Sequence, residues 1–418
     1  MNRNCFWAAL AAAALSLVSC DKEPANPTPD PDPDIEVVDL SAGGSANCYV
    51  LDAPGDYSFD ATVRGNGAAT EGLPAPEKLQ PAGASLVWQS EKGMVSNLKY
   101  EYGKISFTLS DKHGNALVAA VSASGKILWS WHIWCPEDKL ESSEAKSGYE
   151  VLNMNLGALR VMPVSMSDAK TYGMLYQWGR KDPFPASPSA FGDVTTVGAK
   201  LYDAEGKEVK ISNSSWTSLD CNTLEYAVSH PTVCLSNAAQ YPANRDWLAS
   251  GKGNDALWGN PYGAVRDSEN DYPNKGEKSI YDPCPAGYRV PPVDAFRYFT
   301  TSGGYSEDIR TFDIADLNAD GALNAGDYNR GWLFNMKSGS QFFPAAARYD
   351  GTYAMLYGSK SGLWGAYWSN SPALSLSSVD SEGMGFVALS FGNDEVISVS
   401  PSASSSRADA FSVRCVKE

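Results

Sequence analysis

Residues 316–327 read DLNADGALNAGD. Oxygen-bearing side chains fall at the first, third, fifth, ninth and twelfth places: Asp316, Asn318, Asp320, Asn324 and Asp327. Gly321 stands at the sixth, where a sharp turn needs a residue without Cβ. Ca²⁺ takes about six to eight oxygen ligands in flexible geometry. The spacing therefore predicts a calcium loop, with the Ala322 carbonyl at the seventh place as a further ligand and Leu323 packed inward. The alternative is a solvated Asn/Asp/Gly turn. The loop lies between the corner DPCPAGYRVP (282–291) and GWLF (331–334). An ion there would order a long excursion by offsetting like-charge repulsion and chain entropy. Ca²⁺ is expected as a structural staple, not as a catalyst.

Other side chains with chemical potential are fewer. In YQWGRKDPFP, Trp178, Arg180, Lys181 and Phe184 follow a short strand. An exposed aromatic–arginine cluster there would bind sugar or protein. The favoured reading is internal packing, with Arg180 paired to a carboxylate. ILWSWHIW places Trp129, Trp131 and His132 close together, as a ligand platform or, the favoured reading, as a buried strand. The three histidines, His113, His132 and His230, are scattered, and no CxxC or Cys/His cluster points to zinc. GxSxG, HExxH and phosphate-loop motifs are absent from the sequence. Carboxylates are many, but nothing selects a glycosidase pair. No catalytic residue is assigned.

The elements that must hold these residues begin with a leader. MNRNCFWAALAAAALSLVSC carries Arg3 and then an apolar run that is shorter than the ~20 residues of a spanning helix. Its end, LVSC, resembles a bacterial lipobox. That resemblance implies cleavage before Cys20, lipidation of its thiol, and anchoring in a membrane through lipid. DKEPANPTPDPDPD (21–34) lacks the apolar surface to fold and reads as an extended, self-repelling tether. The net charge of −16 and the lack of any basic run disfavour nucleic acid as a partner.

Residues 35–145 show period-two alternation split by turns, in YSFDATVRG (57–65), KISFTLS (104–110) and the run at 115–134. This predicts a β-sandwich. From about 146 the texture becomes rich in Gly, Ser, Asn and aromatic residues. Strands are expected at 386–392 and 411–416, and a helix at PPVDAFRYFT (291–300). In the 282–291 corner, Asp282 should accept nearby backbone N–H groups. Setting aside Cys5 and Cys20, six cysteines remain, and sequence alone allows 15 connectivities. Spacing favours Cys221 with Cys234, while Cys284 with Cys415 would close the C-terminal part and Cys48 with Cys135 would bracket the first.

YEVLNMNLGAL (149–159), GMLYQWGRKDPFP (173–185), DALWGNPYG (255–263), SIYDPCPAGYRVPPVDAF (279–296), FFPAAARYDG (342–351), GAYWSNSP (365–372) and FSVRCVKE (411–418) occur in that order. Together they resemble Bacteroidales surface lipoproteins with a Fibrobacter succinogenes major paralogous-like domain, many of them fimbrillin-like. The resemblance implies a C-type-lectin-like or formylglycine-generating-enzyme-like fold for 146–418, after the β-sandwich at 35–145. It implies a non-catalytic protein of the outer membrane, lipid-anchored and surface-exposed, that serves adhesion or acts as a fimbrial accessory or tip component. Fimbrial subunits or glycans are the expected partners. The rival readings are a carbohydrate-binding protein of a glycan-uptake system and an exported enzyme. Lectins of the similar fold bind sugar through Glu-Pro-Asn or Gln-Pro-Asp with Trp-Asn-Asp; FGND (391–394) is the nearest fragment here. Asp at the twelfth place of the calcium loop resembles dockerins, which carry the loop twice, whereas this chain carries it once.

Overall fold

Tyr57 and Phe59 point the same way from the strand Gly55–Asp60, and both are buried against Phe107 and Ile105 of the neighbouring strand. That alternation is the start of a mainly β architecture. A computed structural model describes residues 37–418 except 166, 190–195, 251–252, 262–275, 374–379 and 392–393. The leader, Cys20, the tether and the centre of FGND lie outside the described residues.

In chain order the first strands are β1 (Val38–Asp39), β2 (Cys48–Val50), β3 (Gly55–Asp60), β4 (Gly83–Gln89), β5 (Val95–Glu101), β6 (Lys104–Leu109), β7 (Gly114–Val121) and β8 (Ile127–Cys135). Then come β9 (Ser142–Glu144), β10 (Glu150–Leu152), β11 (Met174–Gln177), β12 (Phe184–Pro185), β13 (Leu201–Tyr202), β14 (Glu208–Val209), β15 (Ser212–Asn213), the short helix α1 (Leu224–Ser229) and β16 (Val233–Cys234). The last are β17 (Tyr288–Arg289), β18 (Gly331–Asn335), β19 (Ser340–Pro344), β20 (Tyr349–Asp350), β21 (Met355–Leu356), β22 (Trp364–Pro372), β23 (Asp380–Phe391), β24 (Asp394–Ser406), β25 (Ala410–Ser412) and β26 (Val416–Lys417).

Two sheets face each other across one core: β1-β3-β6-β5 and β14-β13-β4-β7-β8-β2. Phe59 of the first sheet meets Trp131 of the second with ring centroids 5.0 Å apart. The second sheet is buried on both faces. Trp129, Trp131 and Ile133 of β8 enter the core shared with β3 and β6. Trp88, Leu117 and Trp134 enter a different core, formed with Tyr176, Trp178, Trp368 and Phe411. Burial on both sides explains why β7 reads as the near-continuous apolar run ALVAAV.

The third layer is a sheet in the order β12-β11-β25-β22-β23-β24, with β20 joined to β25. Strand β22 serves two cores by parity: Trp368 faces the core under β8, while Tyr367 faces the hairpin β18–β19. The sequence boundary near 145 is crossed repeatedly. Tyr202 of β13 pairs with Gln89 of β4, and the Asn47 amide donates to the Ile280 and Asp282 carbonyls at 2.7 and 2.8 Å.

The expected helix at 291–300 is a shorter 3-10 segment, Val293–Phe299. Pro291 and Pro292 keep the chain extended before it, and Ala295, Phe296 and Phe299 are buried as the spacing predicted. Of the expected strand 386–392, residues 386–391 lie in β23 and 392 lies outside the described residues; the expected strand 411–416 is split between β25 and β26, with 413–415 between them.

Candidate functional site

The 316–327 excursion hangs between two fixed points. Before it, Ala315 N–H donates to the Leu333 carbonyl at 2.8 Å; after it, the chain enters β18. Ala319 and Gly321 both take positive φ, 56° and 85°, which folds successive polar side chains back toward one centre. Asp316 accepts the N–H groups of Asp320 at 3.2 Å and Gly321 at 2.8 Å. Asp327 is buried, and its two oxygens accept Asn318 N–H at 3.2 Å and Asn324 N–H at 2.9 Å. The Asn324 amide donates to Asp320 at 2.7 Å and to the Ala322 carbonyl at 2.9 Å, and Asn318 donates to Asp320 at 3.1 Å. The polar groups of places three, five, seven and nine therefore touch one another. Leu323 packs against the core under β18.

This donor set is made of hard oxygens, three carboxylates, two amides and a carbonyl, which suits Ca²⁺ chemically. Among the described residues, no three His, Cys, Asp or Glu side chains gather as a ready-made metal cluster. The loop's carboxylates are instead held by backbone N–H groups. An ion would require the Asn318 and Asn324 amides to turn by 180°, so that oxygen rather than nitrogen faces Asp320. Backbone donation from Ala322, followed by the Asn324 amide, holds the Asp320 carboxyl below its usual range.

Trp178 and Arg180 do not form a surface platform. Trp178 is fully buried, and its indole donates to the Ser369 carbonyl at 2.9 Å. Arg180 is buried over Phe184 and Trp247, donating to Gln177 Oε1 and the Val233 carbonyl, both at 2.8 Å. Carbonyl and amide oxygens replace the carboxylate partner expected of an internal arginine. Beside it, Lys181, Asp182 and Ser130 make a closed set: Lys181 Nζ reaches Asp182 at 2.6 Å and Ser130 Oγ at 2.5 Å, and Ser130 Oγ donates to Asp182 at 2.6 Å. All three are buried beneath Trp129, so this Ser–Lys–Asp group has no access for a substrate.

His132 is likewise internal, with Nε2 at 2.8 Å from Asn115 Oδ1, and burial pushes its pKa down to about 3. Trp129 and Trp131 are core residues of β8.

Cys284 is joined to Cys415, tying the 282–291 corner to the C-terminal strand pair β17–β26. Asp282 anchors that corner as expected, accepting Cys284 and Val290 N–H groups, each at 2.8 Å. The bridges expected at Cys48–Cys135 and Cys221–Cys234 do not form. Cys48 stands opposite His132 in the β2–β8 register, so Cys135 lies three places along and faces the other side of the sheet. The two thiols accordingly belong to different cores, and both are free. Cys221 and Cys234 are also free; Cys234 is buried in β16 among Leu175, Phe184 and Tyr349, while Cys221 packs on the core of Trp178.

Trp216 is the exposed tryptophan among the described residues, and its ring meets Tyr353 edge-on with centroids 5.9 Å apart. The available signal was the all-polar neighbourhood NSSWTS, which offers no alternation to bury an indole. No family model, curated protein or solved structure matches this chain.

Proposed function

We propose that this chain is a lipid-anchored outer-membrane surface protein that holds a partner without transforming it, as an adhesin or as an accessory or tip component of a fimbria. The observation that carries this reading is the order of parts: a lipobox-like LVSC ending at Cys20, a Pro/Asp segment over 21–34, and a compact unit from Val37 onward. Anchor, spacer and folded head are what presentation away from a membrane requires. In this reading the head comprises a β-sandwich over 35–145 and a C-type-lectin-like or formylglycine-generating-enzyme-like part over 146–418. Ca²⁺ on 316–327 acts as a staple.

A second reading, glycan capture for an uptake system, draws support from the exposed Trp216–Tyr353 pair. The deciding experiment combines three arms on cells that make the protein. Palmitate labelling should be lost in Cys20→Ala. Protease added to intact cells should remove the head. Affinity capture with the released head should bring down fimbrial subunits under the first reading, while retention on a polysaccharide column without them favours the second. A head inaccessible to protease would overturn both.

A further inference from the structure

Among the described residues, tryptophan is nearly always hidden. Trp88, Trp129, Trp131, Trp134, Trp178, Trp247, Trp258, Trp332 and Trp368 are fully buried, and Trp364 is half-buried. Trp216 is 44% exposed, yet it is not loose. Its Nε1 donates to the Tyr353 carbonyl at 3.1 Å, and the Asn213 amide donates to the same oxygen at 3.2 Å. Asn213 ends β15, which is fixed by pairing with β16; Tyr353 sits in the turn between β20 and β21, where its N–H donates to Asp350 at 3.2 Å. Two distant segments are thus pinned so that an indole and a phenol stand together in solvent.

Tyr353 is 48% exposed and Tyr357 is 39% exposed, and both line a cavity of about 320 Å³ with Thr196, Met355 and Ser359. That volume falls at the lower end of small-ligand sites. None of the described residues lining it is charged, on a chain whose net charge is −16. A neighbouring cavity of about 670 Å³ shares Thr196 and Met355 as a common wall.

From this geometry we infer that Trp216, Tyr353 and Tyr357 form a binding platform for a neutral saccharide. The inference rests on the surface-binding reading above and names the ligand class for it. A pyranose ring offers an apolar C–H face and a rim of hydroxyls. The C–H face packs on aromatic rings, while Thr196, Ser359 and the tyrosine hydroxyls supply donors and acceptors for the rim. Among the described residues lining the cavity of Tyr353 and Tyr357, an acidic sugar would find no counter-charge. A protein partner would need a contiguous surface of about 800 Å² per side, whereas polar Ser215, Thr217 and Asn213 are exposed around these rings. Because the rings are already fixed, little ordering entropy is lost on binding.

The test uses the chain from residue 21 onward on an array of neutral gluco-, manno- and galacto-configured oligosaccharides. Binding is expected, and the best ligand should shield the protein's fluorescence from iodide, since Trp216 is the exposed indole. Trp216→Ala and Tyr357→Ala should each weaken binding by about tenfold or more. Trp216→Phe should recover part of it, and Tyr102→Ala, at a fully exposed ring elsewhere, should leave it unchanged. Circular dichroism of each variant separates lost binding from lost folding. Retention of only acidic glycans, no glycan binding at all, or binding that survives Trp216→Ala overturns the platform. Those outcomes leave cell-surface display standing, because protease accessibility on intact cells reads that separately.

Discussion

Two tryptophans separate what holds residues 37–418 together from what they expose to solvent. Trp178 is enclosed by Trp258, Arg407 and Trp247, and its indole N–H is spent on the Ser369 carbonyl. Trp178→Ala should cost about 3–5 kcal/mol through the cavity it leaves. Trp216→Ala should cost less, about 0.5–1.5 kcal/mol, because the ring is 44% exposed and gives up one hydrogen bond, to the Tyr353 carbonyl. Urea midpoints of the two variants check both values, and similar losses would contradict the burial difference. His132 adds a pH dependence at the same scale. Burial among Trp88, Asn115 and Tyr176 holds its pKa near 3, below the 6.5 of a free imidazole. A depressed folded pKa means that the unfolded chain takes the proton first. The stability is full above about 6.5 and is lost as pH falls toward 3, at up to about 1.4 kcal/mol per pH unit. Asp246 and Asp409 act in the opposite sense: burial raises each from 3.8 to about 6, so their contribution is full below 3.8 and gone above 6. The His132 share is isolated by comparing His132→Gln with the parent from pH 7 to pH 3. The variant's urea midpoint should fall less steeply with acid, and parallel slopes would sink the assignment.

At the scale of elements, the 316–327 loop is where an ion would alter the structure most. Its ends are fixed by β18, but its interior is held by hydrogen bonds among its own exposed polar groups. Replacing those bonds with shared Ca²⁺ coordination should raise the melting temperature in calcium over that in chelator, and Asp316→Ala or Asp327→Ala should abolish the difference. Equal melting temperatures in calcium and chelator for the parent would return the segment to a plain Asn/Asp/Gly turn. The staple already present is the Cys284–Cys415 bridge, which closes a loop of 131 residues. Its removal by paired serine substitution should lower stability by about 2–5 kcal/mol, read from urea midpoints. These elements also show what the sequence makes legible. Alternation at Tyr57 and Phe59 revealed a strand because a half-buried strand repeats every two residues. The 282–291 corner was readable because Asp282 and three prolines act locally. Cys48 and Cys135 were not readable as unpaired, since whether two cysteines meet depends on β2–β8 register, and register is a long-range property. Internal packing is the favoured reading of Trp178 and Arg180, but their partners were not legible in the charged run GRKD, because they are carbonyls supplied from residues 227–235 and 369 rather than a carboxylate.

For the whole molecule, the question is whether the texture change near residue 145 is also a break in cooperativity. The sheet β14-β13-β4-β7-β8-β2 draws strands from both sides of that point. Its inner face, with Trp88, Leu117 and Trp134, is covered by Tyr176, Trp178 and Trp368 from the later segment. Ile280, also from the later segment, is buried in the core of β3 and β6. A fragment of residues 37–145 would therefore expose large side chains that each contribute about 1.5–3 kcal/mol by burial. Three such losses compare with the whole stability of an ordinary domain, about 5–15 kcal/mol. Residues 37–418 should accordingly unfold in one transition, with far-ultraviolet dichroism and tryptophan fluorescence coincident in urea. The 37–145 fragment should bind a hydrophobic dye and lack a sharp thermal transition. Two separated transitions in the full head, or a cooperatively folded fragment, would show that the shared sheet is a contact between independently stable parts. In that case the later segment would lose its fold, and with it the Trp216 surface, while the first part stayed intact. A single transition instead makes any binding surface on the later segment depend on the first, so that core substitutions as remote as Phe59→Ala should lower the temperature at which binding is lost.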